Sequence, residues 1–198
     1  MNGCVNRQQS APITVVAIIG SLRRESVNRA VFEAAIGLCN PSMSLVEAPV
    51  ADVPFYNGDV EQEGDPAAVV ALKQAVQEAD GLIFFTPQYN GTIPAVTKNA
   101  LDWLSRKGDF TAMVGKPVGV VAATPGRHEV EAVRRHLAAT ATAASAEVME
   151  TSLGISSINH RFDAGVLDAE TRESLGDWLA EFYRFTESRP SRSSDRPE

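Results

Sequence analysis

Three nearly unbroken apolar runs, Ile13–Ile19, Gly81–Thr86 and Val118–Ala123, restrict this chain more than any other feature. Successive side chains on a strand point to opposite faces, so a strand apolar at every position has no face for water. Such strands sit inside a parallel sheet covered on both sides by helices. Two weaker segments, Ser44–Ala48 and Ala146–Met149, bring the expected strands to five. Between and after them lie helical patterns. Asn28–Leu38 puts Ala30, Val31, Ala34, Ala35 and Leu38 on one face, and Pro66–Ala79 turns Val69, Val70, Leu72 and Val76 inward. Pro94–Leu104 opens on a proline, as Pro66–Ala79 does, and Pro is favoured at a helix start. Glu129–Ala143 is alanine-rich, and Thr171–Phe185 buries Leu175, Trp178, Leu179 and Phe182. The alternation predicts an α/β fold, a doubly wound five-stranded parallel sheet.

A chain of 198 residues suffices for one well-packed domain, with 44% hydrophobic and 22% charged residues. We expect a flexible tail at 1–12, one domain over 13–187 and a Ser/Arg/Pro-rich disordered tail at 188–198. The stretch Pro49–Asp65 reads as a long loop. A net charge of −7 argues against nonspecific nucleic-acid binding, and no apolar run approaches the length of a membrane helix. The polar start lacks a signal-peptide core, and the two cysteines, Cys4 and Cys39, have no C-x-x-C spacing. These features fit a reducing cytoplasm, with Cys39 a small hydrophobe at a helix end.

In a sheet of order 2-1-3-4-5 the chain reverses between strands 1 and 3, and ligands bind in the crevice that opens at their carboxyl ends. The loops after those two strands are the richest in polar groups. After Ile19 comes Gly20-Ser21-Leu22-Arg23-Arg24-Glu25-Ser26-Val27-Asn28. Ser21 and Ser26 offer hydroxyls, Arg23 a guanidinium fork, Asn28 an amide, and the following helix its positive end. A dianionic phosphate wants such a ring of donors. After Phe85 and Thr86 comes Pro87-Gln88-Tyr89-Asn90-Gly91. Backbone N–H groups around Gln88–Asn90, with the Tyr89 ring, suit a flat heterocycle. Together the loops point to flavin mononucleotide. Ser26 as a helix cap and Asn90-Gly91 as an ordinary turn are the simpler roles of the same residues.

Other motifs are missing. The first loop has neither G-x-G-x-x-G nor G-x-x-x-x-G-K-[ST], and no G-x-S-x-G occurs. His128, His136 and His160 lack metal-ligand spacing, so no metal is expected.

The first loop, with the block from Thr86-Pro87-Gln88-Tyr89-Asn90-Gly91 through Lys98-Asn99-Ala100-Leu101-Asp102-Trp103-Leu104-Ser105, resembles the NAD(P)H-dependent FMN reductase family, the flavodoxin-like group that includes quinone and chromate reductases. The resemblance covers residues 13 to 185. It implies a flavodoxin-like fold, bound FMN, reduction by NADPH or NADH, and a homodimer or homotetramer. It implies that Ser21, Leu22, Arg23, Ser26, Val27 and Asn28 hold the phosphate. Pro87, Gln88, Tyr89 and Asn90 would hold the ring, with Thr124 on its other side. The expected activity is electron transfer from NAD(P)H to a small-molecule acceptor: a quinone, flavin, azo dye or metal oxyanion. A flavodoxin-type carrier with a protein partner, or a flavin-binding module without turnover, are the alternatives.

Two departures from the family pattern stand out. Gln88 occupies a position where the family often has glutamate. The family's Pro-Gly-x-x-Gly-Gly loop here reads Pro125-Gly126-Arg127-His128-Glu129-Val130, and Arg127 is expected near the crevice. Lys98 and Asp102 are spaced for an i,i+4 ion pair, or with Trp103 for a subunit contact. Asp163 and Asp168 read as turn and capping residues.

Overall fold

The computed structural model describes residues 12–106, 112–127 and 130–189. Eight strands and six helices follow in the order β1 (Ile13–Ile19), α1 (Val27–Ile36), β2 (Met43–Glu47), α2 (Gly58–Glu63), α3 (Ala67–Glu78), β3 (Gly81–Thr86), α4 (Ala95–Leu104), β4 (Pro117–Ala123), α5 (Glu131–Ala143), β5 (Glu147–Val148), β6 (Leu153–Ile155), β7 (Phe162–Asp163), β8 (Val166–Leu167) and α6 (Ala169–Glu187). A short 3-10 turn, Ile158–His160, precedes β7.

The main sheet runs β2-β1-β3-β4-β5, all parallel, with β6 also paired to β4. The expected order is correct. The fifth position differs from the expected single strand. β5 pairs with Pro117 and Val118, and β6 with Val121–Ala123. Val118↔Val148 and Val121↔Leu153 enclose three steps on β4 against five on its partner, so two extra residues bulge out between the halves.

Pleating divides the core into two layers. Val15, Ala17 and Ile19 of β1 face α1 and α6, meeting Val31, Phe32, Leu175 and Phe182. Val16 and Ile18 face α3, α4 and α5, meeting Leu72, Val76, Leu101 and Leu137. Phe84 and Phe85 point to opposite layers and are both fully buried. Burying one such side chain stabilises the fold by about 1.5–3 kcal/mol, which is why β3 tolerates no polar residue before Thr86.

Three local features correct the expectation. The stretch Pro49–Asp65 is not all loop: Asn57 accepts from the Asp59 N–H at 2.9 Å and starts α2. β7 and β8 form a small antiparallel hairpin before α6, which Asp168 caps by accepting from the Thr171 N–H at 2.7 Å. Arg189, assigned to the tail, pairs with Glu147 and stacks on the Phe185 ring at 3.5 Å, so order extends through it. Of the two expected tails, 1–11 (Cys4 included) and 190–198 lie outside the described residues, as do 107–111 and His128 and Glu129. No described helix is long and apolar enough to cross a membrane, and the described residues hold no metal-binding cluster.

Candidate active site

β1 and β3 run side by side in register to Ile19↔Phe85, and the Gly20 N–H donates to the Phe85 carbonyl at 2.8 Å. Both expected loops therefore leave the sheet at the same edge, with β2 on the far side of β1. This is the strand-order reversal at which such sheets open a crevice. Close packing below it admits only glycine at position 20. A Cβ there would lie 2.6 Å from Thr97 Oγ1 and 3.0 Å from Thr86 Oγ1.

In the first loop, Ser21 and Ser26 are buried, while Leu22, Arg23, Arg24 and Glu25 are exposed. Ser26 has extended backbone and caps α1, its Oγ accepting from the Arg29 N–H at 3.4 Å. Ser21 Oγ accepts from the Arg23 N–H at 3.4 Å. Both hydroxyl hydrogens remain available to an external acceptor. The N–H groups of Leu22, Arg24, Glu25, Val27 and Asn28 meet no acceptor among the described residues. A run of such donors at a helix N-terminus, beside the Arg23 guanidinium, is a fitting environment for a phosphate monoester. The donor set fits a phosphate group such as FMN carries. Arg29, next to Asn28 on α1, forms a two-pronged ion pair with Glu47 at 2.6 Å for each prong, tying α1 to the end of β2. The bond to Glu47 holds its guanidinium above the usual range.

Asn28 has partners within the protein. Its side chain is 1% exposed and both ends of its amide bind Ala123, 95 residues away. Nδ2 donates to the carbonyl at 3.0 Å, and Oδ1 accepts from the N–H at 3.2 Å. The pairing of β3 with β4 ends at Thr86↔Ala122. The Asn28 amide supplies the next rung of the ladder and clasps the first loop to the end of β4. At most its second Nδ2 hydrogen is left for a ligand.

The second loop is a tight hairpin. Tyr89 and Thr92 exchange N–H···O bonds at 3.0 Å each, and Asn90 (φ 50°) and Gly91 (φ 79°) make the turn. Positive φ at both central residues explains the Asn-Gly pair. The Tyr89 N–H is thus spent inside the turn, against the expectation that it faces a ring. The Gln88 and Asn90 N–H groups meet no acceptor among the described residues. The Tyr89 ring is 47% exposed and Pro87 is buried. Gln88 Oε1 accepts from the Val133 N–H of α5 at 3.3 Å. A glutamate at this position would present an oxygen to the same N–H.

Thr124, just past β4, is fixed through its backbone. Its N–H donates to Ile155 and its carbonyl accepts from Ile158, both at 3.0 Å. Its Oγ1 accepts from the Gly126 N–H at 3.3 Å, which leaves its hydroxyl hydrogen free to donate. Arg127 is exposed on the same loop.

Trp103 is not a surface residue. It is fully buried, its Nε1 donates to the Pro54 carbonyl at 2.8 Å, and Tyr56 packs edge-on against it at 5.0 Å. The Tyr56 hydroxyl donates to Glu61 at 2.7 Å, which raises its pKa. Asn99 Nδ2 reaches the same Pro54 carbonyl at 2.9 Å, and its Oδ1 accepts from the Tyr56 N–H at 2.8 Å. This pedestal holds Phe55 outward, 80% exposed. Lys98 and Asp102 form the expected i,i+4 pair. Sequence reading missed Thr97, Asn99, Phe55 and His136. Only Phe55, an aromatic in a polar loop, carried any local signal.

The chain matches the NADPH-dependent FMN reductase family over residues 13–160. It is similar to an NAD(P)H-dependent FMN reductase of Pseudomonas aeruginosa, 38% identical over 173 residues, which is 86% of this chain and 93% of that one. It is also similar to a quinone reductase of Escherichia coli, 41% identical over 119 residues; that match spans 59% of this chain and 63% of the relative. Its fold resembles that of the flavoenzyme NAD(P)H:(acceptor) oxidoreductase FerB of Paracoccus denitrificans, with a TM-score of 0.79 at 24% identity, covering 89% and 98% of the two chains. The fold and the site define a flavodoxin-like oxidoreductase. The chain belongs to the NADPH-dependent FMN reductase family, whose cofactor is FMN and whose reductant is NAD(P)H.

Proposed function

We propose that the phosphate of FMN sits in the loop of residues 21–28 and its ring between the hairpin at 87–92 and Thr124. The observation that carries this reading is the row of N–H groups around Ser21, Arg23 and Ser26 that meet no acceptor among the described residues. Arg23 supplies charge, the two serine hydroxyls and the α1 N-terminus supply directed donors, and Leu22 and Val27 flank them. Asn28 acts through Ala123, keeping this loop level with the end of β4. The Gln88 and Asn90 N–H groups and the Thr124 hydroxyl are the polar contacts for the ring edge. Bound there, FMN supplies two-electron chemistry between a nicotinamide and an acceptor. The protein's part is to bind, orient and limit access, and no protein acid or base is assigned.

The acceptor class we favour is a quinone, supported by the names of the relatives and by the exposed Tyr89 ring at the crevice mouth. Nicotinamide and quinone would use the same open face in turn. Double-reciprocal plots at several quinone concentrations should then be parallel. Intersecting lines without product inhibition would contradict a shared face. We also place the protein in the cytoplasm, as a homodimer or larger homo-oligomer. Trp103 is buried within its own chain, and the exposed Phe55 ring, held in water by the Pro54–Tyr56 segment, is the aromatic that a second copy would cover. Light scattering should report a dimer or tetramer for the wild type and a smaller species for Phe55→Glu. A wild-type monomer at micromolar concentration would refute it.

A further inference from the structure

We propose that helix α5 positions the ring-binding hairpin, with His136 and Gln88 as the residues through which it acts; this rests on the hairpin's assignment to the flavin ring. The tip of the hairpin has little packing of its own, although Pro87 is buried at its start and Ile93, just after Thr92, packs against the cluster of Ala122, Val130 and Val133. Tyr89, Asn90 and Gly91 are exposed, and the two Tyr89–Thr92 bonds fix only its internal shape. Nothing in that shape sets its angle to the sheet.

α5 supplies the missing constraint at two points. On one flank of the turn, Gln88 Oε1 accepts from the Val133 N–H at 3.3 Å. On the other, the Thr92 hydroxyl and His136 Nδ1 lie 3.0 Å apart. Val133 offers its backbone N–H in the first turn of α5, and His136 its side chain about one turn further on. The hairpin is clipped to the start of α5 on both sides of Tyr89. The first clip serves the helix as well. Val130 starts α5 with no side-chain cap of its own, and Val133 is the position a cap normally serves. Gln88 therefore caps α5 from another segment, and neither partner moves alone. A threonine hydroxyl donates to a bare Nδ1 or accepts from Nδ1–H, so the second clip holds in either tautomer of His136.

The consequence is a division of labour. The first loop sets affinity for the phosphate, and α5 sets where Tyr89 stands at the crevice mouth. His136 is a positioning residue for acceptor binding, acting through Thr92.

The test compares full-length wild type with His136→Ala and His136→Asn, and uses Thr92→Val as an independent break of the same contact. Hydrogen–deuterium exchange is read first, without flavin. His136→Ala and Thr92→Val should speed exchange across 88–93 by about 3- to 10-fold, the range for one exposed-side hydrogen bond, with residues 21–28 unchanged. Asn at 136 keeps a polar partner and should restore much of the protection. With FMN bound, the KM of His136→Ala for a benzoquinone should rise by a similar factor while its kcat stays within about twofold. Unchanged exchange at 88–93 overturns the proposal. Faster exchange with an unchanged KM also overturns it, because the hairpin would then be tethered without positioning anything. A wild type that binds no FMN but shows the exchange pattern would defeat the ring assignment, and the positioning role with it, while leaving the tether itself established.

Discussion

Replacing Asn28 separates two roles that the sequence alone cannot distinguish. If Asn28 is a clasp, Asn28→Ala removes both bonds to Ala123, at 3.0 and 3.2 Å, and leaves a buried N–H and carbonyl at a residue with 0% exposure. Two net hydrogen bonds at about 1 kcal/mol each, plus part of the cost of the orphaned groups, sum to about 2–4 kcal/mol. For a domain of this size each kcal/mol shifts Tm by about 2–4 °C, so the flavin-free protein should melt about 5–15 °C lower. Asn28→Asp keeps an acceptor for the Ala123 N–H but sets a carboxylate against its carbonyl, and should be no more stable than the alanine variant. The assay is thermal unfolding followed by circular dichroism without cofactor, alongside an FMN titration. A drop under about 2 °C together with a loss of FMN affinity above about tenfold would mean that Asn28 is a phosphate ligand after all, and the clasp reasoning would be wrong.

Other outcomes follow from the same contacts. Arg23→Ala should raise the FMN dissociation constant by about 10- to 200-fold, the value of a charge-assisted bond of about 1.5–3 kcal/mol; a change under twofold would place Arg23 in solvent. Burial pushes the Cys39 thiol up to about 11 from an ordinary 9.0. In a Cys4→Ser background its labelling at pH 8 should therefore run about 100-fold slower in the native protein than in the unfolded one, and equal rates would show an open site. The bond from Thr171 holds the Asp168 carboxyl below its ordinary 3.8. A depressed pKa gives stability that is present above 3.8 and lost as pH falls through the folded value. Tm curves of wild type and Asp168→Asn should converge in that acid window, and curves parallel from neutral pH into acid would contradict the assignment.

The central strands were legible because β1, β3 and β4 are apolar on both faces, a pattern no surface segment shows. β6 was not, because Leu153-Gly154-Ile155 is three residues long with glycine at its centre. Its pairing depends on a bulge after β5 that no local periodicity records. α2 was hidden by its polarity: Gly58–Glu63 buries no residue. The two candidate loops stood out because their residue types announce donors. The partners of those residues could not. Asn28 meets Ala123 across 95 positions and Gln88 meets Val133 across 45, and both contacts exist only once the sheet is assembled. Trp103 misled for the same reason. Its spacing marks it as apolar-facing, but only the fold shows that the Pro54–Tyr56 segment covers it.

The central claim is that the loops after β1 and β3 form an FMN site that a nicotinamide can reach. Purified protein should be reconstituted with FMN, freed of excess cofactor, and mixed anaerobically with NADPH and, separately, with NADH while the flavin absorbance near 450 nm is followed, a band on the order of 450 nm being that of the oxidised cofactor. The account predicts one FMN retained per chain, rapid bleaching with at least one nicotinamide, and recovery of the band when a quinone is added. Retention of FAD in place of FMN, no retained flavin, or a flavin that neither nicotinamide bleaches would contradict it.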